Sequence, residues 1–408
     1  MNSKRTLKLA ALLLALLVML TPFGALADDP GTVDIDAGVA LDEAAELEDA
    51  SEISDLPLIA LAPDSAVREN GLGDNAIVAI NKTNFPDAKF RAYVKQSIDQ
   101  DGDGKLSQAE RDGVDSITVN EMGISNLKGI ERFANLETLS CDDNKLTTLD
   151  VRRNTKLTFL HCDRNKLTKL DVSKNTRLEE LSCDNNKLTR LDVSRNTKLG
   201  VLLCPNNKLT KLDVGNNPKL STLFCENNKL TKLDVNRNPK LEWMSCSENK
   251  LTKLNVSKNT KLELLICGNN KLTKLDVSRS PKLKNLYCYN NKLTKLDVSK
   301  NTKLEALYCF DNNLTALNVG NCKALNSLDC HNNKLTKLDI TRNLYLNGLF
   351  AYGNGIKVID LKNCPKLKAM VEGEPKSTSY CVYWQDLWID EFTRLTDGGK
   401  VLYEKEGR

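Results

Sequence analysis

The amino-acid sequence predicts a curved repeat solenoid that is mostly β, with a small helical N-terminal cap and a β-hairpin C-terminal cap. Three observations predict this fold class. Cysteine recurs every 21 residues, asparagine follows three residues later, and leucine, or Met244 in one unit, lies two residues before each cysteine. A period of about 20–50 residues is typical of solenoids. The in-phase cysteines are Cys141, Cys162, Cys183, Cys204, Cys225, Cys246, Cys267, Cys288, Cys309 and Cys330.

Each unit is expected to contain one short strand. The unit L-x-x-L-x-C-x-x-N-K-L-T-K-L-D-V-S-x-N-T-K has the leucine-rich repeat spacing, with cysteine in place of the third leucine. Leu and Cys of L-x-C alternate with outward residues, so both point into the core. The segment L-T-K-L-D-V also alternates, and we expect a second extended stretch there. Eleven units span 136–354 and a partial unit covers 356–370.

The cysteines are expected to be free thiols rather than disulfides. Neighbouring strands lie about 4.8 Å apart, whereas a disulfide needs Cβ atoms about 3.8 Å apart. Cys322 and Cys364 share another phase but lie two units apart, and Cys381 has no obvious partner. We therefore predict a buried column of small apolar side chains.

Charge and composition divide the chain into five regions. The 408 residues carry a net charge of +4. Residues 1–27 have basic residues, an apolar run and a final A-L-A, the layout of a secretory signal peptide. Residues 28–79 form an acidic spacer that we expect to be disordered. Residues 80–135 are assigned to a helical cap and a degenerate opening repeat, 136–370 to the solenoid, and 371–408 to the C-terminal cap.

A single calcium loop of the EF-hand type precedes the repeats. Asp99, Asp101 and Asp103 place carboxylates at loop positions 1, 3 and 5, Lys105 offers its carbonyl at position 7, and Glu110 supplies a bidentate carboxylate at position 12. The sequence predicts a calcium ion at this loop. Because only one loop is present, we expect it to brace the cap rather than to act as a sensor.

The two ends of the solenoid need caps because a terminal repeat otherwise exposes its core. Before the repeats, Phe90, Val94 and Ile98 have helical spacing. After the repeats, residues 380–395 alternate between apolar and polar residues and include Trp384 and Trp388. We interpret this segment as a strand hairpin, with its tryptophans in the cap rather than in a ligand site.

Lysines form regular rows outside the predicted strands. Residues 136–343 contain 37 basic and 22 acidic residues, and Lys recurs after the turn asparagine and within L-T-K. A solvated outer surface is the simpler interpretation. The alternative is contact with an anionic polymer. Aromatic residues do not interleave these rows, so we expect no nucleic-acid binding.

Aromatic residues lie on the surface opposite the lysine rows. Residues that flank the inward Leu and Cys line the concave surface of such repeats, and nine of the ten aromatic residues in 136–354 occupy these positions. Exposed aromatic patches often mark binding sites, although stacking for stability is an alternative. The candidate partner-binding residues are Phe224, Trp243, Tyr287, Tyr289, Tyr308, Phe310, Asp329, His331, Phe350 and Tyr352.

The chain resembles exported leucine-rich repeat proteins of Gram-positive bacteria and, more distantly, internalins. The resemblance is carried by N-F-P-D-x-x-F-R-x-Y-V at 84–94, the acidic calcium loop, L-K-G-I-E at 127–131 and the L-T-x-L-D-V-S-x-N-T repeats. It implies a secreted or surface-exposed protein that serves adhesion or host contact.

The leading functional hypothesis is therefore a secreted or cell-surface-associated recognition protein that binds a protein partner on its concave face. A scaffold that binds carbohydrate or a cell-envelope polymer is the alternative. We expect no enzymatic activity, because the chain has only two histidines and no nucleophile motif, and Asp329 with His331 lacks a nucleophile beside it. Membrane insertion is not expected.

Overall fold

The computed structural model describes residues 77–373, 375–377 and 381–404. The predicted signal peptide and nearly all of the acidic spacer lie outside the described residues. The N-terminal elements are β1 (Val78–Ala79), α1 (Ala88–Ser97), β2 (Lys105–Leu106), α2 (Gln108–Asp112) and β3 (Ser116–Thr118). No described helix has the length and apolarity that a bilayer crossing requires.

Eleven three-residue strands then follow, one in each repeat unit. They are β4 (Thr138–Ser140), β5 (Phe159–His161), β6 (Glu180–Ser182), β7 (Val201–Leu203), β8 (Thr222–Phe224), β9 (Trp243–Ser245), β10 (Leu264–Ile266), β11 (Asn285–Tyr287), β12 (Ala306–Tyr308), β13 (Ser327–Asp329) and β14 (Gly348–Phe350). Strands β3 to β14 are parallel and in register, so Leu139 pairs with Leu160 and Leu160 with Leu181. The predicted 21-residue solenoid is confirmed.

The core is one continuous apolar column. In the repeat units, each in-phase cysteine and the leucine or Met244 two residues before it have no exposed surface, as Leu160 and Cys162 illustrate. All thirteen cysteines are free and buried, which confirms that they are not bridged. The Sγ of Cys162 donates to the carbonyl of Ser182 in the next unit at 3.4 Å. Such a thiol therefore also supplies a hydrogen bond to a backbone carbonyl.

The turn asparagines join consecutive units. Nδ2 of Asn165 donates to the carbonyls of Cys141, Cys162 and Asp163, while its Oδ1 accepts from the backbone N–H of Leu146. The residue before each of these asparagines adopts a positive φ, for example 48° at Arg164. Asparagine is thus required for its hydrogen bonds, and the adjacent left-handed residue makes the turn.

The second extended stretch does not form a second sheet. Leu149 and Val151 alternate with exposed residues as predicted, but the stretch contributes only an isolated bridge between Asp150 and Asp171. Its carbonyls are instead bonded by a second row of asparagines. Nδ2 of Asn175 donates to the carbonyls of Val151 and Asn154 at 2.9 Å.

A helix, a separate three-stranded sheet and three further strands of the large sheet follow the last repeat. The elements are β15 (Val358–Asp360), α3 (Pro365–Val371), β16 (Lys376–Ser377), β17 (Cys381–Trp384), β18 (Leu387–Asp390), β19 (Arg394–Asp397) and β20 (Lys400–Tyr403). The hairpin β17–β18 adds to the edge of the large sheet, because β18 pairs in parallel with β14. The hairpin predicted for residues 380–395 extends too far, because β19, which contains Leu395, belongs to the separate sheet β15–β19–β20.

Candidate functional site

The outward residues of the eleven repeat strands form three rows. They are the first and third residues of each strand and the second residue after it, such as Thr138, Ser140 and Asp142 in the first unit. We call these three rows of eleven residues the strand face. Because the strands are in register, each side chain lies beside its counterpart 21 residues away.

Four rings of the third row stack on one another. Tyr289 and Phe310 have ring centroids 4.8 Å apart and an interplanar angle of 6°. Phe310 and His331 lie 4.5 Å apart at 10°, and His331 and Tyr352 lie 4.6 Å apart at 8°. We call these four residues the aromatic stack. In-register pairing places identical positions of successive units at the separation that ring stacking favours.

The N-terminal end of the stack rests on a glycine. A Cβ built on Gly268 would lie 2.6 Å from the ring of Tyr289, so the ring lies directly over the backbone of that unit. The faces of the Phe310 and His331 rings are covered by their neighbours. The stack therefore exposes mainly ring edges.

Asp329 makes a positioning contact with His331 of the stack. Nδ1 of His331 lies 2.5 Å from Oδ1 of Asp329, and burial raises the pKa of Asp329. His331 is itself held between Phe310 and Tyr352. This arrangement fixes the imidazole plane parallel to the neighbouring rings.

The predicted partner-binding residues do not form one patch. Tyr287 and Tyr308 lie beside the stack, with centroids 4.8 Å apart. Phe224 and Trp243 belong to adjacent strands β8 and β9, three and two units before β11 respectively. The expectation that all these rings are exposed was wrong for two of them, because neighbouring side chains leave Phe224 only 5% and Tyr287 only 6% exposed.

Two aromatic residues of the C-terminal hairpin extend the ring cluster, which the sequence interpretation missed. Trp388 contacts Phe350 and Tyr352 with centroids 6.1 and 5.9 Å away, and Tyr383 stacks on Trp388 at 4.2 Å. The alternation in 380–395 predicted strands there. It carried no signal that the hairpin would join the edge of the large sheet beside β14.

The same row is acidic in the earlier repeats. Asp142, Asp163, Asp184 and Glu226 occupy the third-row positions there, and we call them the acidic row. Burial and the neighbouring Asp142 raise the pKa of Asp163 to about 6. Burial raises the pKa of Glu226 to about 7, and its Oε2 is buried without a hydrogen-bond partner among the described residues.

Three aspartates of the acidic loop at 99–110 converge. Carboxylate oxygens of Asp99, Asp101 and Asp103 lie within 4.8 Å of one another. Oδ2 of Asp99 accepts from the N–H of Gly104 at 3.0 Å, whereas its Oδ1 is buried without a partner. A buried carboxylate oxygen with no donor, beside two further carboxylates, fits a hard cation.

Glu110 is held apart from this group. Its Oε1 accepts from the N–H of Gln100, and its Oε2 accepts from the N–H and hydroxyl of Ser107, each at 2.7 Å. These bonds lower the pKa of Glu110 and form the capping box of α2. Lys105, whose backbone carbonyl is the predicted ligand at position 7, lies in β2, which pairs with β1. Three of the four predicted carboxylate ligands therefore lie together.

Comparison with protein-family models and with curated proteins gives no match. Among solved structures, the chain is similar to the functional domain of InlJ from Listeria monocytogenes, which includes a cysteine ladder. The two share 34% identity with a TM-score of 0.58, covering 73% of this chain and 76% of that one.

Two further solved structures share the fold. An internalin, inlF, from L. monocytogenes is 23% identical with a TM-score of 0.62 and covers 72% of this chain and 88% of its own. The plant peptide hormone receptor RGFR1, in complex with RGF2, is 21% identical with a TM-score of 0.54. The match covers 62% of this chain and 48% of the receptor chain. The repeats, the buried cysteine column and the identity to InlJ lead to one conclusion: the chain belongs to the family of internalin-like leucine-rich repeat proteins.

Proposed function

We propose that this protein is an exported recognition or adhesion protein, secreted or held at the cell surface, that binds a protein partner with the strand face. The aromatic stack carries this proposal, because its rings occupy positions that the core does not require. Tyr289, Phe310, His331 and Tyr352 remain partly exposed. Export is supported by the signal-peptide pattern of residues 1–27.

The stack favours a polypeptide over a sugar. Sugar rings pack flat on an exposed aromatic face, but the faces of Phe310 and His331 are occupied by adjacent rings at 4.5–4.8 Å. Ring edges, with Tyr308 and Phe350 beside them, suit the apolar side chains of a protein. This is the observation that separates the leading hypothesis from a carbohydrate-binding scaffold.

Capture experiments with the mature protein test the proposal. We expect the Tyr289→Ala/Phe310→Ala double variant to lose retention of protein partners from host and bacterial surface extracts. Its melting temperature should fall only slightly, since stacked aromatic pairs contribute about 0.5–1.5 kcal/mol each.

Tyr345→Ala is the matched control, because Tyr345 is the repeat-region aromatic off the strand face and is 64% exposed. It should leave capture unchanged. Retention of the same partners by the double variant, or binding of a glycan array that both variants preserve, would contradict the proposal.

We further propose that calcium binds the loop and stabilises the N-terminal cap. Asp99, Asp101, Asp103 and the Lys105 carbonyl would hold the ion, and Glu110 at loop position 12 would join them only by leaving its hydrogen bonds with Gln100 and Ser107. The ion would reduce the repulsion among three carboxylates that lie together and satisfy the buried Oδ1 of Asp99. No catalytic role is involved.

A calcium titration followed by thermal melting checks this. If the dissociation constant lies near 10⁻⁴ M, as in extracellular calcium modules, about 10 mM calcium adds roughly 2.7 kcal/mol to the free energy of unfolding. Asp99→Asn should abolish the increase in melting temperature, whereas Asp171→Asn, which is exposed outside the loop, should preserve it. Identical melting with calcium and with a chelator would contradict the site.

A further inference from the structure

The strand face contains no lysine or arginine. This is unexpected, because the repeat region from 136 to 343 has 37 basic residues against 22 acidic ones. Six carboxylates lie on the face: Asp142, Asp163, Glu180, Asp184, Glu226 and Asp329. Basic residues are therefore confined to the other surfaces of the repeats, and the strand face is negative in an otherwise positive region.

The carboxylates of the acidic row are not neutralised by cations. Asp163 accepts hydrogen bonds from the hydroxyl of Ser182 and the N–H of Asp184, both at 2.7 Å. Asp184 accepts from the amides of Asn185 and Asn206. All these donors are neutral, so no salt bridge among the described residues relieves the repulsion between like charges in successive units.

The two cations nearest this row are already paired. Nε2 of His161 lies 3.0 Å from Oε1 of Glu180 on the same face. Arg164 pairs at 2.6 Å with Asp143, which lies outside the three rows. Both cations attract Asp142 and Asp163 electrostatically, but their salt bridges are formed with Glu180 and Asp143.

A second observation points to a missing donor. Oε2 of Glu226 has essentially no solvent contact and no hydrogen-bond partner among the described residues. An unpaired buried carboxylate oxygen is costly, and a charged N–H donor would relieve that cost. Glu226 lies in the same row as Asp184, two units further along the solenoid.

The acidic row leads into the aromatic stack. Third-row positions change from Asp142, Asp163 and Asp184 through Pro205 and Glu226 to small residues, Ser247 and Gly268, and then to the rings of the stack, which begins at Tyr289. Ten strand spacings of about 4.8 Å make this row roughly 48 Å long. An extended polypeptide of about 14 residues covers that length.

We propose that the strand face binds an extended polypeptide segment with two halves: arginine or lysine residues against the acidic row, and apolar or aromatic residues against the aromatic stack. The proposal rests on the proposed function, since it specifies the partner of the same face. Guanidinium groups suit it because they bond carboxylates in a bidentate manner and pack against ring systems.

A peptide selection tests this with the full mature protein as bait. The probe is a displayed library of random peptides of about 14 residues. Three further baits are used: the Asp142→Asn/Asp163→Asn/Asp184→Asn variant, the Asp171→Asn/Asp192→Asn/Asp213→Asn variant, and Tyr289→Ala/Phe310→Ala. The second triple variant is the matched control, because it removes three exposed aspartates at the same 21-residue spacing outside the strand face.

We expect wild type and the control to enrich peptides that have basic residues in one half and apolar residues in the other. These peptides should bind the acidic-row variant at least about tenfold more weakly, a loss of about 1.4 kcal/mol. Asparagine keeps the Oδ1 acceptor, so the variant should fold, and circular dichroism checks this. A salt titration gives an independent test on the wild-type protein. Raising NaCl from about 0.1 M to about 1 M should weaken binding of the selected peptides, because the Debye length falls to about 3 Å.

The outcomes separate this inference from the function on which it rests. Enriched peptides that lack a basic bias but are lost on Tyr289→Ala/Phe310→Ala would overturn the inference and leave the proposed function standing. Equal weakening by the two triple variants would also overturn it. Peptides that bind all four baits equally, or no enrichment above a bare surface, would contradict both.

Discussion

At the scale of single residues, Gly268 sets the position of the aromatic stack. The ring of Tyr289 lies so close that a Cβ at this position would come within 2.6–2.7 Å of three ring atoms. Such a contact forces the ring to move, because real Cβ atoms do not approach that closely. Displacement of Tyr289 would also uncover the face of Phe310, which is 4.8 Å away.

We therefore predict that Gly268→Ala weakens partner capture by roughly tenfold, or about 1.4 kcal/mol, without unfolding the chain. Surface-immobilised mature protein provides the measurement. Gly200→Ala is the control, since its Cβ would meet its nearest neighbour, the carbonyl oxygen of Glu179, at an ordinary 3.6 Å. Equal capture by both variants would show that the Tyr289 position is unimportant.

Residue-scale charge also predicts how stability depends on pH. The folded-state pKa values of Asp163, about 6, and Glu226, about 7, exceed those of free carboxyl groups, mainly because of burial. Between about pH 4 and pH 7 the native state thus binds more protons than the unfolded state, and stability falls as pH rises. The raised pKa of His161, which Glu180 supports, acts in the same direction.

Melting temperature should accordingly be higher at pH 5 than at pH 7.5. The double variant Asp163→Asn/Glu226→Gln should flatten this dependence, as differential scanning calorimetry can measure. Asp171→Asn serves as the control: hydrogen bonds from Ser173 lower its pKa, so its contribution is lost only at more acidic pH. A pH profile that the double variant leaves unchanged would refute the assignment.

At the scale of repeat elements, the second asparagine row explains two cysteines that the 21-residue phase left unassigned. Cys322 and Cys364 occupy positions where other units have Asn154, Asn175 or Asn301. The thiol of Cys322 approaches the carbonyl of Val298 at 3.7 Å. The corresponding Asn301 donates to the carbonyls of Val277 and Ser280 at 2.9 Å.

Cys322→Asn should therefore stabilise the protein. An amide at this position would make two hydrogen bonds, each of which contributes about 0.5–1.5 kcal/mol, partly offset by the Oδ1 atom that remains unpartnered throughout this row. We expect a net gain of about 1 kcal/mol in urea unfolding. The reciprocal change Asn301→Cys should destabilise the chain by a similar amount, and stabilisation by both variants would contradict this explanation.

At the scale of the whole molecule, periodicity made the fold predictable and gave little information about contacts between rows. A 21-residue repeat determines which side chains point inward, so the cysteine column and the solenoid follow from the sequence. Burial of Phe224 and Tyr287 depends on the size of neighbours in adjacent units. The contact of Trp388 with Phe350 depends on where the terminal hairpin joins the sheet, which no local pattern encodes.

In the acidic loop at 99–110, too, the sequence pattern predicts some contacts and not others. Loop spacing predicts that Asp99, Asp101 and Asp103 converge, and their carboxylate oxygens lie within 4.8 Å of one another. It did not predict that Glu110 would cap α2 and bond Gln100, because capping competes for the same carboxylate. Likewise, the overall charge of +4 gave no indication of a strand face without basic residues; that separation appears only when residues are placed in rows.

The central claim is that the strand face around the aromatic stack contacts the partner, and site-specific photo-crosslinking tests it most directly. A photoreactive phenylalanine analogue is placed at Phe310 in one preparation and at the exposed Tyr345, off the strand face, in another. Incubation with captured partner and irradiation should give a covalent complex from Phe310 and none from Tyr345. Crosslinking from Tyr345 alone would contradict the claim.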